Sequence, residues 1–134
     1  MNTVLTFGTF NIFHHGHLNI LKRASSMAGK LLVGVSSDLL SLNKKGRNPV
    51  YSEVCRMQTI ASLDFVHEVF LEEALELKRE YLLKYQVDIL LMSDDWKNKF
   101  DHFQDLCKVI YLPRTPNIST TQLIKDNLKT LLKI

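Results

Sequence analysis

The sequence is poor in the residues that cross-link small folds or bind metals through sulfur. Cys55 and Cys107 are the only cysteines among 134 residues, and their spacing matches no metal-binding motif. This excludes a disulfide-rich scaffold, and we expect two free, part-buried thiols in a cytoplasmic protein. With only three prolines and five glycines, the chain has no linker, internal repeat or low-complexity tract. We therefore predict one domain over residues 1–134.

Long apolar runs and a strong excess of one charge are also missing. No apolar run approaches the ~20 residues needed to span a bilayer, so we expect no membrane insertion. The N-terminus lacks a charged region followed by a cleavage site, so we expect no signal peptide. The net charge of +3 permits an anionic ligand but is too small and dispersed to indicate nucleic-acid binding.

The most informative stretch that is present covers residues 6–17, TFGTFNIFHHGH. It lies between a short apolar run and a segment of helical periodicity. Gly8 allows a sharp turn and Gly16 a close approach of a second group. His14 and His17 share one face of a first helical turn, where free backbone N–H groups and the helix dipole favour an anion. The stretch therefore predicts a phosphate site.

Two other interpretations of the histidine pair stay open at this point. H-x-x-H can be half of a metal site, although the nearby sequence offers no cysteine or carboxylate to complete it. The pair can also be two ordinary surface histidines. The flanking glycines, and the position between a strand and a helix, favour the phosphate interpretation.

Strand and helix patterns alternate along the chain. Short apolar runs predict five strands, at residues 2–7, 31–36, 65–71, 87–92 and 109–112. Helical spacing and capping residues predict helices at residues 17–27, from Ser52, at 72–85 and at 120–132, with a loop and a short helix at 97–106. This alternation predicts a single α/β domain with a doubly wound, Rossmann-like, parallel five-stranded sheet.

Polar segments follow several of the predicted strands, where open α/β sheets place their ligand sites. Residues 41–49, SLNKKGRNP, are predicted to form a flexible basic loop that closes over a phosphorylated substrate. Asp94 or Asp95 can meet a ribose hydroxyl or a cytosine amino group, or simply cap the next segment. Arg114 suits two-point contact with a phosphate. Ser119 and Thr120 stand at a predicted helix start, where hydroxyls and N–H groups hold phosphate oxygens.

Two of these segments resemble the signatures of one family. GTFNIFHHGH is similar to the H-x-G-H signature of the cytidylyltransferases within the nucleotidyltransferase superfamily, and residues 114–121, RTPNISTT, resemble their R-T-x-x-x-S-T-T signature. The chain length, the D-D-W at Asp94–Trp96 and the Y-L-P before Arg114 are most similar to the bacterial glycerol-3-phosphate cytidylyltransferases.

The resemblance implies a reaction. CTP and a polyol phosphate, first of all glycerol 3-phosphate, would give a CDP-polyol and pyrophosphate for cell-surface polymer synthesis. Mg²⁺ is expected to arrive with the triphosphate, without a protein metal cage, and a homodimer is expected. The alternatives are another acceptor phosphate, ATP in place of CTP, or a nucleotide-binding protein with little turnover.

The resemblance also assigns residues to roles. The catalytic set is His14, His17, Lys44 and Arg114. The nucleotide-binding set is Thr9, Phe10, His14, Gly16, His17, Asp94, Arg114, Thr115, Ile118, Ser119, Thr120 and Thr121. The substrate-binding set is Lys44, Lys78 and Arg56. Two departures support the low-turnover alternative: Asn11 stands where the family has aspartate, and Asp64 where it commonly has a nucleotide-contacting arginine.

Overall fold

The computed structural model describes residues 2–113. The strands are β1 (Thr3–Gly8), β2 (Lys30–Ser36), β3 (Glu68–Glu72), β4 (Ile89–Ser93) and β5 (Lys108–Leu112). The α-helices are α1 (His15–Met27), α2 (Asp38–Lys45), α3 (Glu53–Ala61) and α4 (Lys78–Lys84). Short 3₁₀ segments cover Leu75–Leu77, Asp94–Trp96 and Asp101–Asp105. The predicted final helix at 120–132 and the RTPNISTT segment lie outside the described residues.

The five strands form one parallel sheet in the order β3-β2-β1-β4-β5, which confirms the predicted doubly wound architecture. The chain runs outward from β1 to β3, then returns to the other side of β1 for β4 and β5. The β1–β4 pairing covers only Val4 and Leu5, in the amino-terminal half of β1. This reversal of strand order is the point where doubly wound sheets hold ligands, beyond the carboxyl ends of the strands.

Both faces of the sheet are covered, which explains the near-continuous apolar runs of the inner strands. Leu5 and Phe7 on β1 belong to a cluster with Leu82 on α4. Val4, on the opposite face, packs in a cluster with Leu21 on α1 and Ile60 on α3. Alternate residues of β1 therefore anchor the two helical layers, and the strand carrying the histidine segment is held from both sides.

The predicted basic loop at residues 41–49 is wrong in its first half, which is helical. The Ser37 hydroxyl caps α2 by accepting a hydrogen bond from Leu40 N–H at 3.0 Å. Gly46, at φ +72°, ends the helix in the left-handed conformation. Lys44 and Lys45 thus lie in the last turn of a helix, where cations complement the dipole. The helix has only eight residues, and its charged, solvent-facing side chains give a polar sequence pattern that is typical of a loop.

The segment after β3 also differs from its prediction. Residues 65–67 precede the strand, and Glu72, predicted to open a helix, is instead the last residue of β3, opposite Ser36 on β2. The predicted helix at 72–85 is a 3₁₀ turn at Leu75–Leu77 followed by the shorter α4. Pairing with β2 overrides the helical preference of a glutamate-rich segment.

Candidate active site

A cavity of about 450 Å³ lies beyond the carboxyl ends of β1 and β4. That volume falls within the range of small-molecule sites. Its wall includes seven residues predicted for the site, Thr9, Phe10, His14, Gly16, His17, Lys44 and Lys78. Elements far apart in sequence, from β1 to the end of β4, therefore meet at one cavity.

The two histidines are held by the helix start that they cap. The His14 Nδ1 accepts a hydrogen bond from Gly16 N–H at 3.0 Å, and the His17 Nδ1 accepts one from His14 N–H at 3.3 Å. This is a reciprocal capping box built from imidazoles instead of hydroxyl and carboxylate. Because each Nδ1 is an acceptor, we assign the proton of each neutral ring to Nε2. The rings stack with their centroids 3.8 Å apart.

His17 is neutral at physiological pH. Burial, with smaller contributions from His14 and Lys45, lowers the pKa of His17 to about 3. Aromatic rings supply part of that burial, since Phe10 and Phe13 lie 5.2 and 5.7 Å from the imidazole between ring centroids. A neutral, fixed imidazole suits hydrogen-bond donation to an anion better than proton transfer.

The sequence had suggested that the sharp turn before the histidines falls at Gly8. In the structure it falls at Phe10. Phe10 has φ +52°, whereas Gly8 is not among the residues of positive φ. A Cβ added to Gly8 would lie 2.8 Å from ring carbons of Phe10. Gly8 is therefore needed for the space that the Phe10 ring occupies.

Asn11 stabilises the histidine segment through a side-chain hydrogen bond. It is buried, and its Oδ1 accepts a hydrogen bond from Val50 N–H at 2.6 Å. A neutral amide oxygen is sufficient for this contact, so the asparagine ties the histidine segment to the stretch between α2 and α3. Asp64, the other departure from the family pattern, is exposed and does not line the cavity.

Arg56, predicted to bind substrate, does not line the cavity and is instead bound to protein groups. Its Nη1 donates to the carbonyls of Thr9 and Ser36, both at 2.8 Å, and its Nε donates to Tyr51 O at 3.0 Å. Its Nη2 pairs with Asp38 Oδ1 at 2.7 Å. The guanidinium is almost fully buried. It fastens the ends of β1 and β2 to the start of α2.

Lys44, Glu72 and Lys78 also line the cavity. Together with the buried Ser36 they form a second polar group, which we call the lysine–carboxylate cluster. Lys78 forms an ion pair with Glu72 Oε2, and its Nζ lies 4.3 Å from the centroid of the Phe7 ring. The Lys44 Nζ donates to Ser36 Oγ at 3.1 Å, and Ser36 Oγ lies 3.4 Å from Glu72 Oε1. Two ammonium groups thus share one buried carboxylate.

Burial and the Glu72 carboxylate act in opposite directions on the pKa values of these lysines. Burial lowers the pKa of Lys44 and of Lys78, while Glu72 raises the pKa of each. The family resemblance had suggested both lysines but not Glu72, because the position of Glu72 at the end of a strand emerges only from the pairing with β2.

The cavity wall also contains Lys45, Asp95 and Trp96. The sequence had suggested Asp95 only as an alternative to Asp94, and it had not singled out Lys45 or Trp96 as site residues. Burial lowers the pKa of Lys45, as does Arg47, whereas Asp95 raises it. Asp94 is exposed and is absent from the wall, while Asp95 accepts a hydrogen bond from the Ser93 hydroxyl. From the sequence alone, two adjacent aspartates do not indicate which of their carboxylates lines the cavity.

Several predictions concern features away from the cavity. Within residues 2–113, no group of three or more His, Cys, Asp or Glu side chains could hold a metal ion. In the same range no helix has both the length and the apolar character to cross a membrane. Cys107 is part-buried, but Cys55 is exposed, which corrects the expectation for that thiol. Arg114, Thr115, Ile118, Ser119, Thr120 and Thr121 lie outside the described residues.

Comparison with known proteins connects this geometry to a family. The sequence profile described as cytidylyltransferase-like matches residues 5–126. The chain is 42% identical to glycerol-3-phosphate cytidylyltransferase of Bacillus spizizenii, over 94% of this chain and 97% of that one. It is 37% identical to the Bacillus subtilis enzyme of the same name, with the same coverage of both chains.

A solved structure shows the same fold. The lipopolysaccharide core biosynthesis protein of Thermoplasma volcanium superposes with a TM-score of 0.77, covering 86% of this chain and 98% of that one. At 23% identity, that likeness shows the architecture alone.

Proposed function

Because this chain belongs to the cytidylyltransferase-like family, we propose that it transfers the cytidylyl group of CTP to glycerol 3-phosphate, giving CDP-glycerol and pyrophosphate. One observation carries the proposal: the histidine pair and the two ammonium groups of the lysine–carboxylate cluster line the same cavity. That arrangement suits two phosphate groups brought together. The relatives' names supply the identity of the nucleotide and of the acceptor.

The proposed reaction is a direct displacement at the α-phosphorus. An oxygen of the acceptor phosphate forms the new P–O bond while the bond to the β-phosphate oxygen breaks, and pyrophosphate departs with the bonding electrons. A phosphate monoester is already a nucleophile at neutral pH, so the protein supplies alignment and charge stabilisation. His14 and His17 donate through Nε2–H to the α-phosphate as its negative charge builds.

The remaining residues divide between the two substrates. Thr9, Phe10 and Gly16 contact the nucleotide, and Lys44 and Lys78 bind the acceptor's phosphate. The residues outside the described range, Arg114, Thr115, Ile118, Ser119, Thr120 and Thr121, are assigned to the nucleotide and its leaving phosphates on the family signature alone. We reassign Arg56 from substrate contact to positioning of the strand ends, because protein groups take its hydrogen bonds. Asp95 replaces Asp94 as the carboxylate at the cavity.

Magnesium would enter with the triphosphate. Mg²⁺ is commonly bound by one or two carboxylates together with substrate phosphates, and Asp95 at the rim fits that mode. Glu72 is buried and paired with Lys78, so it is not a ligand of the same kind. When bound, the ion would neutralise charge on the departing pyrophosphate.

The assay that tests the proposal is pyrophosphate release by the purified chain. CTP and ATP are each combined with glycerol 3-phosphate, ribitol phosphate, erythritol phosphate and choline phosphate. The proposal expects rapid release for CTP with glycerol 3-phosphate and much slower release for the other pairs. Faster release with another pair would identify a different substrate, and tight CTP binding without release would support a nucleotide-binding protein.

Two further expectations accompany the proposed reaction. CTP is a cytoplasmic metabolite, so we place the protein in the cytoplasm, where CDP-glycerol would serve synthesis of cell-surface polymers. We also expect a homodimer, which sedimentation velocity tests directly; a single species at the mass of one chain would contradict it.

A further inference from the structure

One member of the lysine–carboxylate cluster has no role in the reaction as described. Glu72 is 1% exposed and Lys78 is 4% exposed, so both charges are withdrawn from water. A buried carboxylate in a site for phosphate is unexpected on charge alone, since it repels the ligand. Burying an ion is costly unless it is paired and hydrogen-bonded, and here both Glu72 oxygens have partners.

We propose that Glu72 is a positioning residue of the acceptor subsite, which holds Lys78 directly and Lys44 through the Ser36 hydroxyl so that both ammonium groups face one phosphate dianion. The proposal rests on the proposed function, since it takes the ligand of this subsite to be a phosphate monoester. The negative charge of Glu72 orients the two ammonium groups that bind the acceptor and keeps them protonated.

The direction of the hydrogen bonds supports this role. An ammonium only donates, so Ser36 Oγ accepts from Lys44 and its own proton is directed to Glu72 Oε1. Ser36 is fully buried and stands opposite Glu72 in the β2–β3 register. The hydroxyl therefore links the second lysine to the same carboxylate.

Each ammonium keeps donors for a ligand. Within residues 2–113, Lys44 donates to Ser36 and Lys78 donates to Glu72. Since an ammonium has three N–H donors, about two on each lysine are left for phosphate oxygens. Both side chains line the cavity, so these donors converge from α2 and α4 on one region.

Glu72 also decides whether the lysines are charged before the acceptor arrives. Burial disfavours the ammonium form. Glu72 is the acidic group that raises the pKa of Lys78, and among the described residues Lys44 from α2 is a positive charge that interacts with Lys78. The Lys78 Nζ also lies 4.3 Å from the centroid of the Phe7 ring and 5.5 Å from that of Phe100, so aromatic groups form part of its surroundings. Removing the carboxylate charge would therefore lower the pKa of Lys78 further.

The experiment compares Glu72→Gln with Glu73→Gln, an identical chemical change at the exposed neighbouring residue. Steady-state kinetics are measured between pH 7 and pH 9, where the acceptor stays dianionic because its second pKa is about 6. In Glu72→Gln, KM for glycerol 3-phosphate should rise about tenfold for each pH unit above the lowered pKa of Lys78. The kcat and the KM for CTP should stay within about twofold of wild type at pH 7.

In Glu73→Gln and in wild type, KM for the acceptor should change little over the same range. An acceptor KM in Glu72→Gln that follows Glu73→Gln at every pH would overturn the proposal. So would a loss confined to kcat, because the cluster would then act on the reacting atoms and not on acceptor binding.

Two further measurements test whether Glu72 acts through the lysines. Because the link to Lys44 through Ser36 remains, adding Glu72→Gln to Lys78→Met should raise the acceptor KM less than adding it to wild type; an equal rise in both backgrounds would contradict the coupling. NMR titration of the labelled Lys78 ammonium should show it losing its proton at lower pH in Glu72→Gln than in wild type, and equal titrations would overturn the proposal. The NMR titration does not require turnover. It therefore still tests the role of Glu72 if wild type releases no pyrophosphate and the proposed function fails.

Discussion

At the scale of single residues, the site depends on side chains whose hydrogen bonds fix them before any ligand binds. His14 and His17 illustrate this. Each Nδ1 accepts a hydrogen bond from a backbone N–H group, and that bond determines both the orientation of the ring and its tautomer. Donors that are already oriented need no reorganisation when charge develops on the substrate. The imidazoles are therefore expected to act in the transition state and to add less to ground-state binding.

Replacing His17 tests that expectation. His17→Ala should lower kcat at least ~100-fold, the usual effect of losing one preorganised donor, while the circular dichroism spectrum stays unchanged. His15→Ala is the matched control, because His15 is an exposed residue on the same helical turn. Near-normal kinetics in His17→Ala, or an equal loss in His15→Ala, would rule out the histidine mechanism.

The pKa of His17 also predicts how stability depends on pH. The unfolded chain binds a proton at this residue with a pKa near 6.5, whereas the folded chain does so only near 3. Between those values the unfolded state holds more protons, so acid favours unfolding. The free energy of unfolding should fall as pH decreases from 6.5 toward 3, and urea titrations should show a shallower fall in His17→Gln. Identical pH dependence in the two proteins would contradict the burial of this ring.

At the scale of elements, the cavity is assembled by short segments that are fastened to one another. Arg56 on α3 connects the end of β1, the end of β2 and the start of α2. Asn11 adds a bond to the stretch between α2 and α3. The positions of the histidine segment and of Lys44 therefore depend on α3, which does not itself line the cavity.

Arg56→Lys tests this fastening. Lysine keeps the charge but lacks the planar fork, so several bonds to buried carbonyls are lost together. We expect the free energy of unfolding to fall by about 2–4 kcal/mol, as for breaking other buried charged networks. Arg79→Lys is the control, because the pair between Arg79 and Asp105 is exposed and contributes little to stability, so almost no change is expected. Equal effects in urea denaturation would show that Arg56 does not fasten the strand ends.

The elements also show what the sequence could and could not predict. The five strands and α1 were identified because short apolar runs between polar segments and helical spacing are strong signals. The helix α2 was missed because eight residues with a charged outer face resemble a loop. Glu72 was placed in a helix because local composition is silent about pairing with β2. The histidines were predicted from a motif and both lysines from the family resemblance, whereas the carboxylate that joins the lysines became apparent only in the fold.

At the scale of the whole molecule, the doubly wound sheet explains why these groups meet. The strand order reverses between β1 and β4, and crossovers on either side bring α1 and α2 to the same end of the sheet. The histidines lie at the start of α1 and Lys44 lies in the last turn of α2. One cavity is therefore lined by both the histidine pair and the lysines of the lysine–carboxylate cluster.

The most direct test is a crystal structure of the chain with CDP-glycerol, the product of the proposed reaction. The cytidine-side phosphate should lie within hydrogen-bonding distance, ~3 Å, of Nε2 of both His14 and His17. The glycerol-side phosphate should contact the ammonium groups of Lys44 and Lys78. A product bound in the cavity with its phosphates turned away from either pair, or bound elsewhere on the molecule, would contradict the site described here.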